Sequence, residues 1–327
     1  MKTKRRWIVS VLSLALLSIV NAAYGAAPAV KVGYPQLSGG SMPLWVIAEA
    51  RLDQRYGVDV KPIYIAGGAT LTRSLIAGDV DIALTGGAVV GAVLSGADLV
   101  YAGIGLSTYA FAVYSRPEIK EIRDFRGKIF GVITKGASSD HAAIALFNRY
   151  AMRVGEDVKF LYFARQGDLL ASLDKGIVAG GVFSSPTNVM AKRLGFKELV
   201  NIASFKLPYP HNAIATRKAL VRQNPELVKS FLKSYVAAIR IIHEEPETAK
   251  KALAHFLTKD PELIDDAYSL APLFLKVPYM PEEAIRTVLA LSDHPKAASA
   301  DPKDFFDNRL LKELEDTGFV KELYSRR

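Results

Sequence analysis

Short apolar runs alternate with helix-period stretches through the first two hundred residues of this chain. Residues 30–34, 58–65, 80–84 and 99–104 read as buried strands. Between them Pro43 suits a helix first turn, Leu44, Ile47, Ala48 and Leu52 share one helical face, and Gly57 can end it. Thr70 is a candidate cap for a short helix to Ala77 that Gly78 closes, and 87–95 is a helix of small residues. A second set follows, with strands at 128–133, 158–163 and 177–183. Its helix at 140–153 turns Ile144, Phe147 and Ala151 inward. Such strand–helix alternation predicts an α/β fold with a mostly parallel, helix-covered sheet.

The two sets echo each other. Leu75-x-x-Gly78-x-Val80, then Gly96-x-x-Leu99-Val100, is matched by Leu173-x-x-Gly176-x-Val178, then Gly195-x-x-x-Leu199-Val200. Shared βα punctuation is the alternative source of this likeness. Two similar lobes of about 100 residues each is the economical expectation. From Asn224 the pattern turns helical. Asn224-Pro225-Glu226, Asp260-Pro261-Glu262 and Met280-Pro281-Glu282 are three helix starts, and Val228, Phe231, Leu232, Tyr235, Ile239 and Ile242 form one stripe.

Composition narrows the class. Residues 1–7 are basic, 8–20 apolar, and 21–27 small, with Ala23 and Gly25 at the −3 and −1 positions of a cleavage site. This order predicts a secretory signal peptide over 1–25, and export to a periplasm. The formal charge of +9 falls to about +5 once the four basic residues of the leader are set aside. No later run of Lys or Arg supports nucleic-acid binding. The chain has no cysteine, so it has no disulfide, no thiolate metal site and no lipid-modified anchor. Its five histidines make no H-x-x-x-H pair, and neither a metal nor a cofactor is expected.

Three strand-to-helix junctions are rich in Gly, Ser and Thr, at 36–43, 85–87 and 134–140, and Gly67-Gly68 marks a fourth. Ligands of open α/β sheets collect beyond strand carboxyl ends, where helix N-termini offer free N–H donors to an anion. Ser138 and Ser139 are candidate donors there, with helix capping as the ordinary alternative role. Catalysis has little to stand on. The chain lacks a G-x-S-x-G elbow, and His141 beside Asp140 reads as a surface or interface residue. No arginine is evident at a cleft junction to clamp an anion bidentately.

The series Met42-Pro43-Leu44-Trp45-Val46-x-Ala48-Glu49, Tyr56-Gly57-Val58-Asp59-Val60, Ile76-x-Gly78-Asp79-Val80-Asp81-Ile82-Ala83 and Ile122-x-Asp124-Phe125-Arg126-Gly127-Lys128-Ile129-x-Gly131-Val132 resembles the nitrate/sulfonate/taurine class of ABC-transporter substrate-binding proteins. The resemblance runs from about Val30 to His255. It implies a type II periplasmic binding fold, two α/β lobes joined by two crossover segments, with a helical C-terminal region. Lobe 1 would hold 26–110 and 212–327, and lobe 2 would hold 111–211. It implies cleft residues Gln36, Ser38, Ser41, Met42 and Trp45; Gly67 and Gly68; Thr85 and Gly86; and Thr134, Ser138 and Ser139. Ser184, Ser185 and Tyr209 are further candidates. Relatives that make the thiamine pyrimidine use a Cys-rich iron motif, which this chain lacks. The expectation is a monomeric, non-enzymatic binder that delivers a small anionic or aromatic metabolite to an inner-membrane permease. A periplasmic sensor subunit and an exported enzyme are the rival readings.

Overall fold

Residues 27–325 are described by the structure, a computed structural model; the expected signal peptide at 1–25 lies outside the described residues. The apolar runs of the first set form β1 (Ala29–Tyr34), β2 (Asp59–Tyr64), β3 (Ile82–Thr85) and β4 (Leu99–Gly103). Those of the second form β7 (Ile129–Ile133), β8 (Lys159–Phe163), β9 (Gly180–Phe183) and β10 (Lys197–Asn201). Four strands lie in the connections, β5 (Leu106–Thr108), β6 (Ala112–Ser115), β11 (Pro208–His211) and β12 (Ala213–Arg217). They make two five-stranded sheets, in the orders β2-β1-β3-β12-β4 and β10-β6-β9-β7-β8. β5 and β11 pair with each other as the two antiparallel crossovers between the lobes.

The echo in sequence is an echo in register. Val32 pairs with Ile82 and Pro62 in the first sheet; Phe130 pairs with Gly180 and Phe160 in the second, each position 98 residues later. In both sheets these pairs are parallel, and the next strand joins antiparallel, β12 beside β3 and β6 beside β9. Each of those strands has just left a crossover.

The elements end where the sequence supplies a reason. Helix Gly68–Ala77 stops at Gly78, whose φ of 86° is left-handed and whose N–H reaches the Leu75 carbonyl. It begins two residues before Thr70, on a backbone turn at Gly67 rather than a side-chain cap. Helix Met42–Glu49 ends earlier than its apolar stripe suggests, because Arg51 takes a positive φ of 51° and Leu52 starts a separate turn. The C-terminal helices begin as expected at Pro225 and Pro261, with the Asn224 and Asp260 side chains accepting first-turn N–H groups. The third begins at Glu282 with Pro281 at its cap position.

Three apolar clusters hold the fold. The largest packs the stripe of helix Pro225–Glu244 against helix Met42–Glu49 and the first sheet, and Trp45 is sealed inside it. A second spans both lobes through the crossovers, joining Leu71, Tyr101, Tyr109, Phe130 and Tyr209. The third fills the remaining face of the second sheet around Leu169 and Phe183. Within the second cluster Phe130 meets Phe125 and Phe147 edge-on, with centroids 4.9 and 5.0 Å away, and leans on Phe160 at 5.8 Å. Phe130→Ala removes the centre of this set. The expected cost is about 3–5 kcal/mol, read as a large fall in the thermal unfolding midpoint.

Candidate functional site

The two lobes meet where helix Ser138–Arg149 of the second is seated on glycines of the first. A Cβ on Gly67 would lie 2.8 Å from Thr134 Oγ1, and one on Gly68 would lie 3.4 Å from the Ala137 methyl. A Cβ on Gly86 would collide with Ser138 Oγ, and one on Gly87 would stand 2.6 Å from His141 Nδ1. Only bare backbone allows this approach. Across the opening, helix Thr187–Arg193 faces helix Pro261–Tyr268. There Arg193 pairs with Asp260 and Glu262, and Asn188 Nδ2 donates to Asp266 Oδ1 at 3.1 Å.

Between these contacts lies a cavity of about 450 Å³. Three helices present their N-termini to it: Gly68–Ala77, Ser138–Arg149 and Gln166–Asp174, entered through Gly67, Ala137 and Arg165. In none does the cap residue supply a side chain to its own first turn. Uncapped first turns leave N–H donors and the positive dipole ends toward the cavity. Tyr64, Phe111, Leu37 and Ile133 give it an apolar wall.

Two buried polar side chains at the end of the second crossover complete the lining. His211 is 2% exposed and Asn212 4% exposed; His211 Nδ1 and Asn212 Nδ2 have no protein partner. Burial holds His211 down to about 4, so at neutral pH it offers one N–H and one lone pair. Asn212 has a left-handed φ of 49°. An unpaired buried amide is costly unless something completes it.

Seven of the fifteen residues expected at the cleft line this cavity: Gln36, Gly67, Gly68, Thr85, Gly86, Ser138 and Ser139. Ser139 is held as a structural link, since its Oγ takes the Ile133 N–H at 2.7 Å and donates to the Ile133 carbonyl at 2.9 Å. Eight lie elsewhere. Ser38 and Ser41 are buried and brace the Gln36 turn, Ser38 accepting from Gln36 Nε2 and Ser41 donating to the Gln36 carbonyl. Met42 and Trp45 point into the core. Thr134 touches Gly67 at the lobe contact, and Ser184 gives its N–H to Gln166 Oε1 at 3.4 Å. Ser185 is buried off the cavity, and Tyr209 is wholly enclosed behind it.

The expectation of no cleft arginine is corrected. Arg165 lines the cavity, its fork held by Asp168 through contacts of 3.0 and 3.2 Å. The junction after β8, Phe163-Ala164-Arg165-Gln166-Gly167-Asp168, lacks the run of small residues that marks the others. The signal available was its position at a strand's carboxyl end.

Ser138, Asp140 and His141 form no catalytic relay. His141 Nδ1 faces Tyr209 Oη at 3.0 Å, while Asp140 accepts the Gly136 N–H at 2.7 Å and the Tyr162 hydroxyl at 3.1 Å. His141 is not a surface residue; it is 6% exposed at the lobe contact.

The family described as NMT1/THI5 like matches residues 54–249. The chain belongs to that family. No curated protein matches it. Among solved structures, this NMT1/THI5-like chain is similar to the alkanesulfonate-binding protein SsuA from Xanthomonas axonopodis pv. citri bound to MOPS, with TM-score 0.69 and 17% identity over 86% of this chain and 96% of that one. The periplasmic nitrate-binding protein NrtA from Synechocystis PCC 6803 gives TM-score 0.72 and 14% identity over 89% of each chain. A zinc-bound ligand-binding component of an ABC-type import system from Staphylococcus aureus gives TM-score 0.72 and 14% identity over 88% and 98%. At these identities the shared property is the periplasmic binding protein fold, and these relatives are binding proteins.

The glycine contact makes a paired prediction. Gly86→Ala should lower stability by about 1–3 kcal/mol and enlarge the radius of gyration in solution scattering, because Ser138 Oγ and the Pro210 carbonyl cannot both withdraw. Gly91→Ala meets nothing within 4 Å inside helix Ala88–Leu94 and should be neutral or stabilising by up to about 1 kcal/mol.

Proposed function

We propose that this protein is the extracytoplasmic solute-binding component of an ABC importer. It captures a small anionic metabolite with an apolar or aromatic body between two lobes and presents it to a membrane permease. The observation that carries this reading is the interlobe cavity, where three uncapped helix N-termini meet two buried side chains with unused polar atoms. The names of the similar structures, which bind sulfonate and nitrate, support the same class of cargo.

The charge of the lining fits this cargo. Arg165 and Asp168 cancel each other, and His211 is neutral near pH 7. The remaining field comes from helix ends and favours one negative group. The apolar wall of Tyr64, Phe111 and Ile133 receives the rest of the molecule. Lobe boundaries follow the crossovers, with 26–110 and 212–327 in one lobe and 111–211 in the other. Among the described residues no helix is long and apolar enough to cross a membrane. The binder we propose is periplasmic and monomeric.

A thermal-shift screen of nitrate, sulfonates, carboxylates and aromatic anions should find a compound that stabilises the protein. At a hundred times its Kd, such a compound adds about 2.7 kcal/mol of stability. Asn212→Ala should then weaken binding about ten- to a hundredfold by calorimetry, the loss of one hydrogen bond to a charged group. A library without any stabilising member, or unchanged affinity in Asn212→Ala, sinks the proposal.

A further inference from the structure

Three aliphatic side chains stand open to solvent on the second lobe: Ile129 is 42% exposed, Leu161 36% and Ile177 51%. Ile129 starts β7 and lies opposite Lys159 in the β7–β8 register, so Leu161, two residues on, shares its face. Ile177 leads into β9 two residues before Ala179, whose N–H bonds the Ile129 carbonyl at 2.9 Å. Ile129 and Ile177 mark strand starts, so the patch lies away from the cavity at the carboxyl ends. The first lobe offers a comparison within the same chain. Its matching positions, 98 residues earlier, hold Lys31, Ile63 and Asp79, and of these Ile63 alone is apolar and is partly buried. β2 and β8 are corresponding sheet edges. β2 is blunted by Pro62 and by the Lys61–Asp59 ion pair, whereas Phe160 stands at the position of Pro62. An apolar edge invites association unless something covers it.

We propose that this face of the second lobe seats on an anionic membrane surface. The aliphatic side chains enter between the lipid headgroups, and the lysines around them meet lipid phosphate. Lys128 precedes Ile129, Lys159 faces it in register, and Lys175 precedes Ile177 by two residues. All three lysines are exposed and make no ion pair among the described residues. The acids nearby are engaged, Glu118 with Arg116, Asp157 with Arg126 and Glu156 with Arg153. Asp174, beside Lys175, offsets one of the three.

The wider charge agrees. Residues 111–211 hold 15 Lys and Arg against 9 Asp and Glu, whereas 26–110 and 212–327 together hold 23 against 24. The basic excess after residue 25 therefore belongs to the second lobe, and its field draws that lobe toward negative surfaces. The chemistry of the patch selects lipid over protein. A protein interface favours aromatic residues and arginine and is poor in lysine, whereas aliphatic side chains ringed by lysine suit an anionic bilayer. Because the patch lies at the strand starts, a membrane seated there leaves the cleft open to its cargo.

The test is co-sedimentation of the purified protein with vesicles. It needs no cargo, so its outcome is separate from that of solute binding. Vesicles of equal parts phosphatidylglycerol and phosphatidylcholine should carry the protein down in about 0.05 M salt and release it in about 0.5 M, as the Debye length shrinks. Vesicles of phosphatidylcholine alone should leave it in the supernatant. Lys159→Glu with Lys175→Glu should weaken binding at least about twenty-five-fold, about fivefold for each lysine. Lys296→Glu with Lys321→Glu makes the same change of charge at exposed positions of the first lobe and should weaken it less than about threefold. Ile129→Thr with Ile177→Thr keeps β-branched residues and should weaken binding about tenfold. The proposal is overturned by equal binding to phosphatidylcholine, by equal losses in the two charge-reversed pairs, or by full binding in the threonine pair. No binding to the anionic vesicles also overturns it, and directs the face to an acidic protein partner instead. Should the threonine pair fail to fold, the two charge-reversed pairs decide between the patch and net charge.

Discussion

The seating of helix Ser138–Arg149 and of the turn that enters it, Thr134 to Ala137, on Gly67, Gly68, Gly86 and Gly87 is the constraint on which the rest of this molecule depends. Bare backbone on the first lobe lets the Thr134, Ser138 and His141 side chains of the second come up close against it. The helix ends that face the cavity are those whose entry residues are glycine or alanine, or an arginine whose fork is held elsewhere. A Ser or Asp in those places would have satisfied its own first turn and dulled the site. Small residues here perform two tasks at once, allowing close approach and leaving donors unspent.

The repetition of register explains why the two lobes converge on one cleft. Equivalent strands pair with the same offset in both sheets, so equivalent junctions fall at equivalent ends. The crossovers between the sheets then turn those ends toward each other. Gly67-Gly68, after β2, and Arg165-Gln166, after β8, are counterparts in this sense; one supplies bare backbone and the other a charged side chain.

Much of this was readable in the chain. Strand–helix alternation, the two-lobed plan and the small-residue junctions follow from local periodicity and glycine placement, which act over a few residues. What escaped depended on packing across long separations. Trp45 and Met42 sit next to a cleft loop in sequence, yet the stripe of helix Pro225–Glu244 claims them for the core. Tyr209 is a cleft candidate by the resemblance, because nothing local reveals that Gly87 and His141 meet its hydroxyl. His211 and Asn212 follow Pro208-Tyr209-Pro210, at the boundary where the chain is expected to cross between lobes, and nothing local marks either as a ligand contact. Their unused polar atoms emerge only when Phe111 and the glycine turns close around them.

The crossing strands also order events in time. All five strands of the second sheet lie between Ala112 and Asn201, one unbroken stretch that can assemble as soon as it exists. The first sheet begins at Ala29 but keeps a vacancy between β3 and β4 until Ala213–Arg217 arrives, and β4 has no other strand to join. The sheet that begins first along the chain is therefore the one completed last, by a strand that follows the whole of its counterpart.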